Sequence, residues 1–133
     1  MDGMSYNDSD VLTAKRLKNI ILELSISYGH LRIDEKEVGK LIALWDQKDL
    51  IEIVATIADI YKVPRASVKI ALGRRSELKE KDAYAEVRVG FRGEAHRISH
   101  TQNRQQILAG KCETFVYSIG HEMAHVRLHT DRH

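Results

Sequence analysis

The chain has very little cysteine, very little proline and little net charge. Its 133 residues include a single cysteine, Cys112, so no disulfide can form within the chain, and a reducing compartment is expected. The net charge is +2 with histidine neutral, which by itself indicates binding neither to nucleic acid nor to a membrane surface. The single proline, Pro64, excludes easy continuation of a helix across that position.

Long apolar runs are also missing. All of them are far shorter than the roughly 20 residues that a membrane-spanning helix needs. The polar, acidic N-terminus, MDGMSYNDSD, is unlike a secretory signal. We therefore expect a cytoplasmic protein without membrane association. The length fits one domain, 1–133, and an apolar fraction of 43% with 30% charged residues is typical of a soluble globular chain.

Three amphipathic helices are predicted in the first half of the chain. Apolar residues fall at helical spacing from Asp8 or Ser9 to about Tyr28. Asp34 and Asp49 each precede a glutamate by three positions, a pattern typical of a helix start. The two helices that follow would bury Val38, Leu41, Ile42 and Trp45, and then Leu50, Ile53, Val54, Ile57 and Tyr61.

After Pro64 the apolar period changes from helical to alternating. Two strands are predicted, at 67–72 and 86–92, and a third short strand at 96–100. Between the first two lies a loop of interleaved basic and acidic residues, for which solvation is favoured over phosphate binding. A last helix is predicted from Glu113 or Thr114 to about His129. Helices, a small and mainly antiparallel sheet, and a terminal helix together define an α+β fold.

The terminal helix contains His121-Glu122-Met123-Ala124-His125, which is an H-E-x-x-H motif. Residues four apart share one face of a helix, so both imidazoles can bind one ion, and neutral imidazole is a good zinc ligand. Glu122 lies about 100° further around the helix. There it can stay off the metal and still accept a proton from water on the metal. The alternative is a solvated helix in which the motif occurs by chance.

The segment FVYSIGHEMAHVRLHTD resembles the active-site helix of the ImmA/IrrE-type zinc metallopeptidases, and more broadly that of the zincin peptidases. The resemblance extends over 84–131 and is specific at 115–129, where Leu128-His129 matches a pair that often closes the helix in that family. It implies that His121 and His125 bind Zn²⁺ and that Glu122 is the general base. It also implies a protein substrate in the same cell, namely a transcriptional repressor.

The third zinc ligand is left open by the sequence. The resembled family takes it, usually as a glutamate, from a later helix, whereas this sequence ends at His133. Either the natural chain continues or the ligand lies elsewhere. Asp131 and His133 are favoured as metal ligands over His129, which would lie about 12 Å along the axis from His121. His96 or His100 from the sheet is a further option.

Three other residues could take part in metal or thiol chemistry. His96 and His100 lie four apart and would share one face of a strand, so a second metal site is conceivable. A pair of exposed polar side chains is the favoured interpretation. For Cys112 we expect a buried, small apolar side chain rather than a zinc-linked switch.

Two functions of different kind follow from this. The first is a zinc-dependent metallopeptidase that hydrolyses peptide bonds in a protein substrate, with Glu122 activating zinc-bound water. The strand near Val87 could pair with an extended substrate, and an ordinary sheet edge is an equally favoured interpretation of it. The second is a catalytically incomplete, zincin-like regulatory module that binds a protein or DNA partner. A purely structural zinc site, closed by a fourth protein ligand, is a third possibility.

Overall fold

The computed structural model describes residues 8–28 and 34–131, which contain five α-helices, three strands and two short 3-10 turns. The predicted α+β arrangement with a C-terminal helix is confirmed. None of the described helices is long and apolar enough to cross a membrane. In chain order the elements are α1 (Asp8–Tyr28), α2 (Glu35–Asp46), α3 (Leu50–Ile60), β1 (Val68–Ala71), β2 (Ala85–Arg88), β3 (His96–His100), α4 (Arg104–Ala109) and α5 (Cys112–Asp131).

Short polar side chains start the middle helices as predicted. Asp34 Oδ1 accepts a hydrogen bond from the Lys36 amide at 2.9 Å, and Asp49 Oδ1 accepts one from the Glu52 amide at 3.2 Å. α4 begins with a capping box between Asn103 and Gln106. The apolar period does not predict α4, because this one-and-a-half-turn helix buries a single side chain.

The sheet is mixed rather than mainly antiparallel. Its strand order is β1-β3-β2, with β3 parallel to β1 and antiparallel to β2. β2 ends at Arg88, short of the predicted end at Arg92, because the chain turns at two glycines. Gly93 has a φ of +87°, and a side chain at Gly90 would collide with the carbonyl of Glu94. β1 and β2 are therefore the two edges of the described sheet.

The terminal helix passes through the middle of the core. α5 packs mainly against α1 and also contacts α3 and β2. Gly120 allows the close approach of α1, since a Cβ at that position would lie 3.0 Å from Leu24 Cδ1. The core side chains contributed by α5 are Cys112, Phe115, Val116, Ile119, Met123, Ala124 and Val126.

One predicted core residue is less buried than expected. The other inward-facing residues of α2 and α3 are buried, but Trp45 is half-buried. Trp45 lies in the last turn of α2, where its ring packs against the rim of the core at 6.5 Å from the Phe115 ring. The helical period predicts the side on which Trp45 lies and cannot predict how far the neighbouring elements extend over it.

Tyr61, which follows α3, carries a buried polar group without a partner. The residue is 1% exposed, and within the described ranges its hydroxyl has no hydrogen-bond partner. Burial also raises the pKa of the hydroxyl. A buried hydroxyl that has lost its bonds to water lowers stability unless the protein replaces them.

We therefore expect Tyr61→Phe to raise the free energy of unfolding, by about 1 kcal/mol. Urea denaturation of both proteins at one pH measures the change. The matched control is Tyr84→Phe, because Tyr84 is 52% exposed and should change stability by less than about 0.5 kcal/mol. A Tyr61→Phe protein that is less stable than the wild type would contradict this account of the hydroxyl.

Candidate metal centre

The H-E-x-x-H residues lie in the buried middle of α5. Apolar side chains before and after the motif, such as Ile119, Met123 and Val126, are fully buried and hold this part of the helix against the core. His121 and His125 lie on the side of the helix that is half-open to solvent, while Glu122 is only 7% exposed. The helix therefore presents two accessible imidazoles beside one carboxylate that is almost fully buried.

The two imidazoles converge on one point. The His121 and His125 Nε2 atoms are 3.3 Å apart, and their rings are nearly perpendicular, at 88°. Glu122 Oε2 lies 4.0 Å from His121 Nε2. All three potential ligand atoms fall within 4.8 Å of one another, so the cluster could hold a metal ion. Among the described residues no other histidine, cysteine or acid belongs to such a group.

Both histidines have surroundings that suit metal binding. Burial lowers the pKa of His125, and the neighbouring His121 lowers it further, which favours the neutral imidazole that a metal requires. The ring of His121 stacks on Tyr117, with centroids 6.2 Å apart and planes at 12°. This stacking restricts the orientation of a ring that is otherwise partly exposed.

Glu122 connects the helix to the sheet. Its Oε1 accepts a hydrogen bond of 3.1 Å from the amide of Val87, in edge strand β2. Burial raises the pKa of Glu122 from 4.5 to about 7, the Val87 hydrogen bond opposes the rise, and Glu86 and Glu80 add to it. The carboxyl group is therefore fixed through one oxygen, and it exchanges its proton near neutral pH in the metal-free chain.

A two-part groove runs between α5 and the open edge of β2. One cavity of about 770 Å³ contains Arg88, Leu128 and His129, and the other, of about 390 Å³, contains Tyr84 and Tyr117. Three residues line both cavities, namely Glu86, Glu122 and His125. The cluster of metal-ligand type therefore lies where the two cavities meet, which is a position that an extended ligand could cross.

Three of the additional ligands proposed from the sequence lie in the described part of the chain, namely His96, His100 and His129, and none of them joins this cluster. His129 is half-buried, with its ring 6.2 Å from that of Phe91 in an edge-to-face arrangement. Asp131 is the last residue of α5, and its side chain lies outside the described part. His133 lies outside the described residues altogether. The third ligand thus stays a prediction for Asp131 and His133.

The prediction that His96 and His100 are an exposed polar pair is wrong. His100 is 2% exposed, its ring lies 5.7 Å from that of Phe115, and its Nδ1 accepts a hydrogen bond from the Gln102 amide. His96 is half-buried and accepts at Nδ1 from the Gly90 amide. Because both Nδ1 atoms accept bonds from the chain's own turns, the two residues stabilise the ends of β3. The face that they share is the core face of the sheet.

Cys112, the single cysteine of the chain, is buried as predicted. Cys112 is 4% exposed, and burial raises the pKa of its thiol to about 12. Such a thiol carries almost no thiolate at neutral pH and is unreactive. The prediction that the Cys112 side chain is buried is confirmed.

Two features of the site cannot be predicted from the sequence. The contact between Glu122 and Val87 joins residues that lie 35 positions apart. The alternating pattern near Val87 indicates a strand but not which of its edges stays open, because that depends on the pairing of β3.

Comparison of the chain with known protein families, with curated proteins and with solved structures finds no match.

The raised pKa of Glu122 predicts a pH effect on stability. In the metal-free protein the folded state holds the Glu122 proton up to about pH 7, whereas the unfolded state releases it near pH 4.5. Stability should therefore fall as the pH rises from 4.5 to 7. Glu122→Gln keeps an acceptor for the Val87 amide and removes the titration, so it should add about 3 kcal/mol at pH 8 and little at pH 4.5.

Chemical denaturation of chelator-treated protein at both pH values measures this difference. Equal effects of Glu122→Gln at pH 4.5 and pH 8 would contradict the raised pKa.

Proposed function

We propose that this chain is a zinc-dependent metallopeptidase, of the kind that its terminal helix resembles. The observation that carries the proposal is the Nε2–Nε2 distance of 3.3 Å between His121 and His125. Two nitrogens that each lie about 2.0–2.1 Å from a tetrahedral zinc ion are about 3.3–3.4 Å apart. The imidazole pair therefore has the spacing that zinc would need.

Glu122 fits the role of general base better than that of a third ligand. Its Oε2 lies 4.0 Å from His121 Nε2, farther than the spacing of about 3.3–3.4 Å expected for two ligands of one tetrahedral ion. Its Oε1 accepts a hydrogen bond from the Val87 amide, and this bond opposes rotation of the carboxylate towards the imidazoles. A zinc ion bound there would polarise a substrate carbonyl and would lower the pKa of a water molecule to near neutral.

The protein's own groups would then move the protons. Glu122 Oε2 would accept the proton of the attacking water and pass it to the nitrogen of the departing amine. A cation bound at the imidazoles would favour the charged form of Glu122, and in that form the carboxylate can accept this proton. The groove along β2 would hold the peptide chain, and the buried surroundings of Glu122 would keep bulk water from its proton.

A catalytically incomplete, zincin-like module that binds a protein or DNA partner is the second candidate. It is favoured by one observation: within residues 8–28 and 34–131 only two histidines and Glu122 form a group of metal-ligand type. A catalytic zinc site usually has three protein ligands and one open position. If Glu122 were the third ligand, the site would lack a separate base.

We expect the purified protein to bind about one zinc ion per chain, mainly through His121 and His125. Replacing either histidine with alanine should remove most of the zinc, as measured by elemental analysis after dialysis. The matched control is His129→Ala on the same helix, because His129 packs against Phe91. Full zinc content in the His121→Ala, His125→Ala double variant would rule out this metal centre.

Glu122→Gln should leave zinc content and folding almost intact and lower peptide hydrolysis by about two to four orders of magnitude. The reason is that glutamine accepts the Val87 hydrogen bond but cannot accept a proton from water. Zinc content and cleavage of a casein substrate are measured on the same samples. Equal cleavage by wild type and variant would refute the peptidase mechanism, and zinc binding without any cleavage would favour the regulatory module.

A further inference from the structure

The outer face of the sheet carries a row of three basic residues. Lys69 in β1 is paired in register with Arg97 in β3, and Arg97 is paired with Arg88 in β2. Residues in register across a sheet have side chains on the same face. The opposite face belongs to the core, as shown by Ile98 and Ala85, which are 0% and 8% exposed. The three cations therefore lie side by side across the outer face.

This arrangement is electrostatically unfavourable unless anions compensate for it. Like charges directly opposite each other destabilise a sheet. Glu77 compensates for Arg97: its carboxylate lies 3.1 Å from Arg97 Nη2 and accepts a 2.7 Å bond from Ser99 Oγ. Both contacts hold the pKa of Glu77 below its usual value. Within the described residues no acid lies within ion-pair distance of Arg88 or Lys69.

The nearest acid on the strand of Arg88 is already bound elsewhere. Glu86 lies two positions before Arg88 on the same face, but its Oε1 accepts bonds of 2.8 Å from the amides of Lys79 and Glu80. These bonds hold the charged loop against the sheet and lower the pKa of Glu86. Arg88, which is exposed, is thus left without an anionic partner among residues 8–28 and 34–131.

The position of Arg88 connects it to the metal centre. Arg88 and Arg97 line the same cavity as Glu122 and His125. Arg88 also directly follows Val87, whose amide is bound by Glu122. A ligand that crosses the metal centre and continues into this cavity would therefore pass Arg88. The other cavity contains Glu80 and Asp82 beside Tyr84 and Tyr117, and among the described residues no lysine or arginine lines it. The two directions away from the centre therefore differ in charge.

We propose that Arg88, with Arg97 beside it, forms a subsite for a carboxylate of the peptide substrate. The proposal rests on the peptidase function proposed above and specifies its substrate class: a peptide with an acidic group on one side of the scissile bond. A guanidinium binds a carboxylate through two parallel hydrogen bonds, which gives direction as well as affinity. The carboxylate can belong to an aspartate or glutamate side chain or to the C-terminus of the peptide.

A nucleic acid is a poorer fit to the same residues. Phosphate backbones are bound by many cations along a continuous path, whereas this row has three cations. One of them is neutralised by Glu77, and Glu86 adds a negative charge on the same face.

Binding measurements with a peptide library test whether Arg88 binds a carboxylate of the peptide. The probe is a set of hexapeptide pools, capped at both ends, in which one position at a time is fixed as Asp, Asn or Lys. The protein is zinc-loaded Glu122→Gln, which binds without turnover. At one position we expect the Asp pool to bind about tenfold more tightly than the Asn pool. Pools with a free C-terminal carboxylate, compared with amidated pools, test the second source of the anion.

Two variants add a second substitution to the same Glu122→Gln protein. Arg88→Glu should reverse the preference from Asp to Lys, whereas Arg88→Gln should abolish the preference without reversing it. Lys36→Glu in α2 makes the same change of charge away from the groove and should keep the preference for Asp. Circular dichroism and thermal melting check that each variant is folded. An unchanged preference for Asp in a folded Arg88→Glu or Arg88→Gln protein would overturn the subsite.

The wild-type protein is tested in parallel for cleavage of the same pools, by mass spectrometry. Cleavage without any preference for an acidic residue would overturn the subsite and leave the peptidase function standing. An Arg88-dependent preference in binding, with no cleavage of any pool, would support the subsite and refute the peptidase. If Arg88→Glu instead weakens binding of a 20-base-pair DNA duplex while no peptide pool is preferred, the surface binds nucleic acid and the proposal is wrong.

Discussion

The hydrogen bond from the Val87 amide to Glu122 is the contact on which the candidate site depends. It joins α5 to the open edge of β2, and the groove lies along this junction. An edge strand exposes unpaired amides that attract other strands. Here one of those amides is bound by a buried carboxylate, so the edge is partly protected and Glu122 is fixed by the same bond.

This bond also explains why burial of Glu122 can be tolerated. A carboxylate that is 7% exposed loses most of its hydration, and a single amide donor replaces only part of it. The raised pKa of Glu122 reflects the part of the desolvation cost that the Val87 amide does not offset. A cation at the two imidazoles would favour the charged form of Glu122, so metal binding and release of the Glu122 proton should be coupled. The junction between helix and sheet would then be most stable when a metal is bound.

Much of the fold is predictable from the sequence, because local signals dominate it. The aspartates at 34 and 49 start helices where they are expected, and the helical period of α1 to α3 identifies most core residues. Strand pairing is not local, and so the parallel pairing of β1 with β3 is not predictable from either strand. The H-E-x-x-H motif identifies His121, Glu122 and His125, since its spacing is a property of one helix. The burial of His100 and the Val87 contact depend on distant elements, and no local pattern reports them.

The packing of α1 on α5 has a consequence for how the protein is made. Their contacts join distant parts of the chain; Arg16 and Glu113, for example, form an ion pair of 3.4 Å across 97 positions. At a translation rate of about 5–20 residues per second, the 103 residues between the end of α1 at Tyr28 and the end of α5 at Asp131 take roughly 5–20 s to synthesise. For that time the apolar side of α1 that carries Leu17 and Ile21 has no α5 to cover it. Nascent chains should therefore be a target for chaperones that bind apolar helices, until the helix that bears the metal-binding motif arrives.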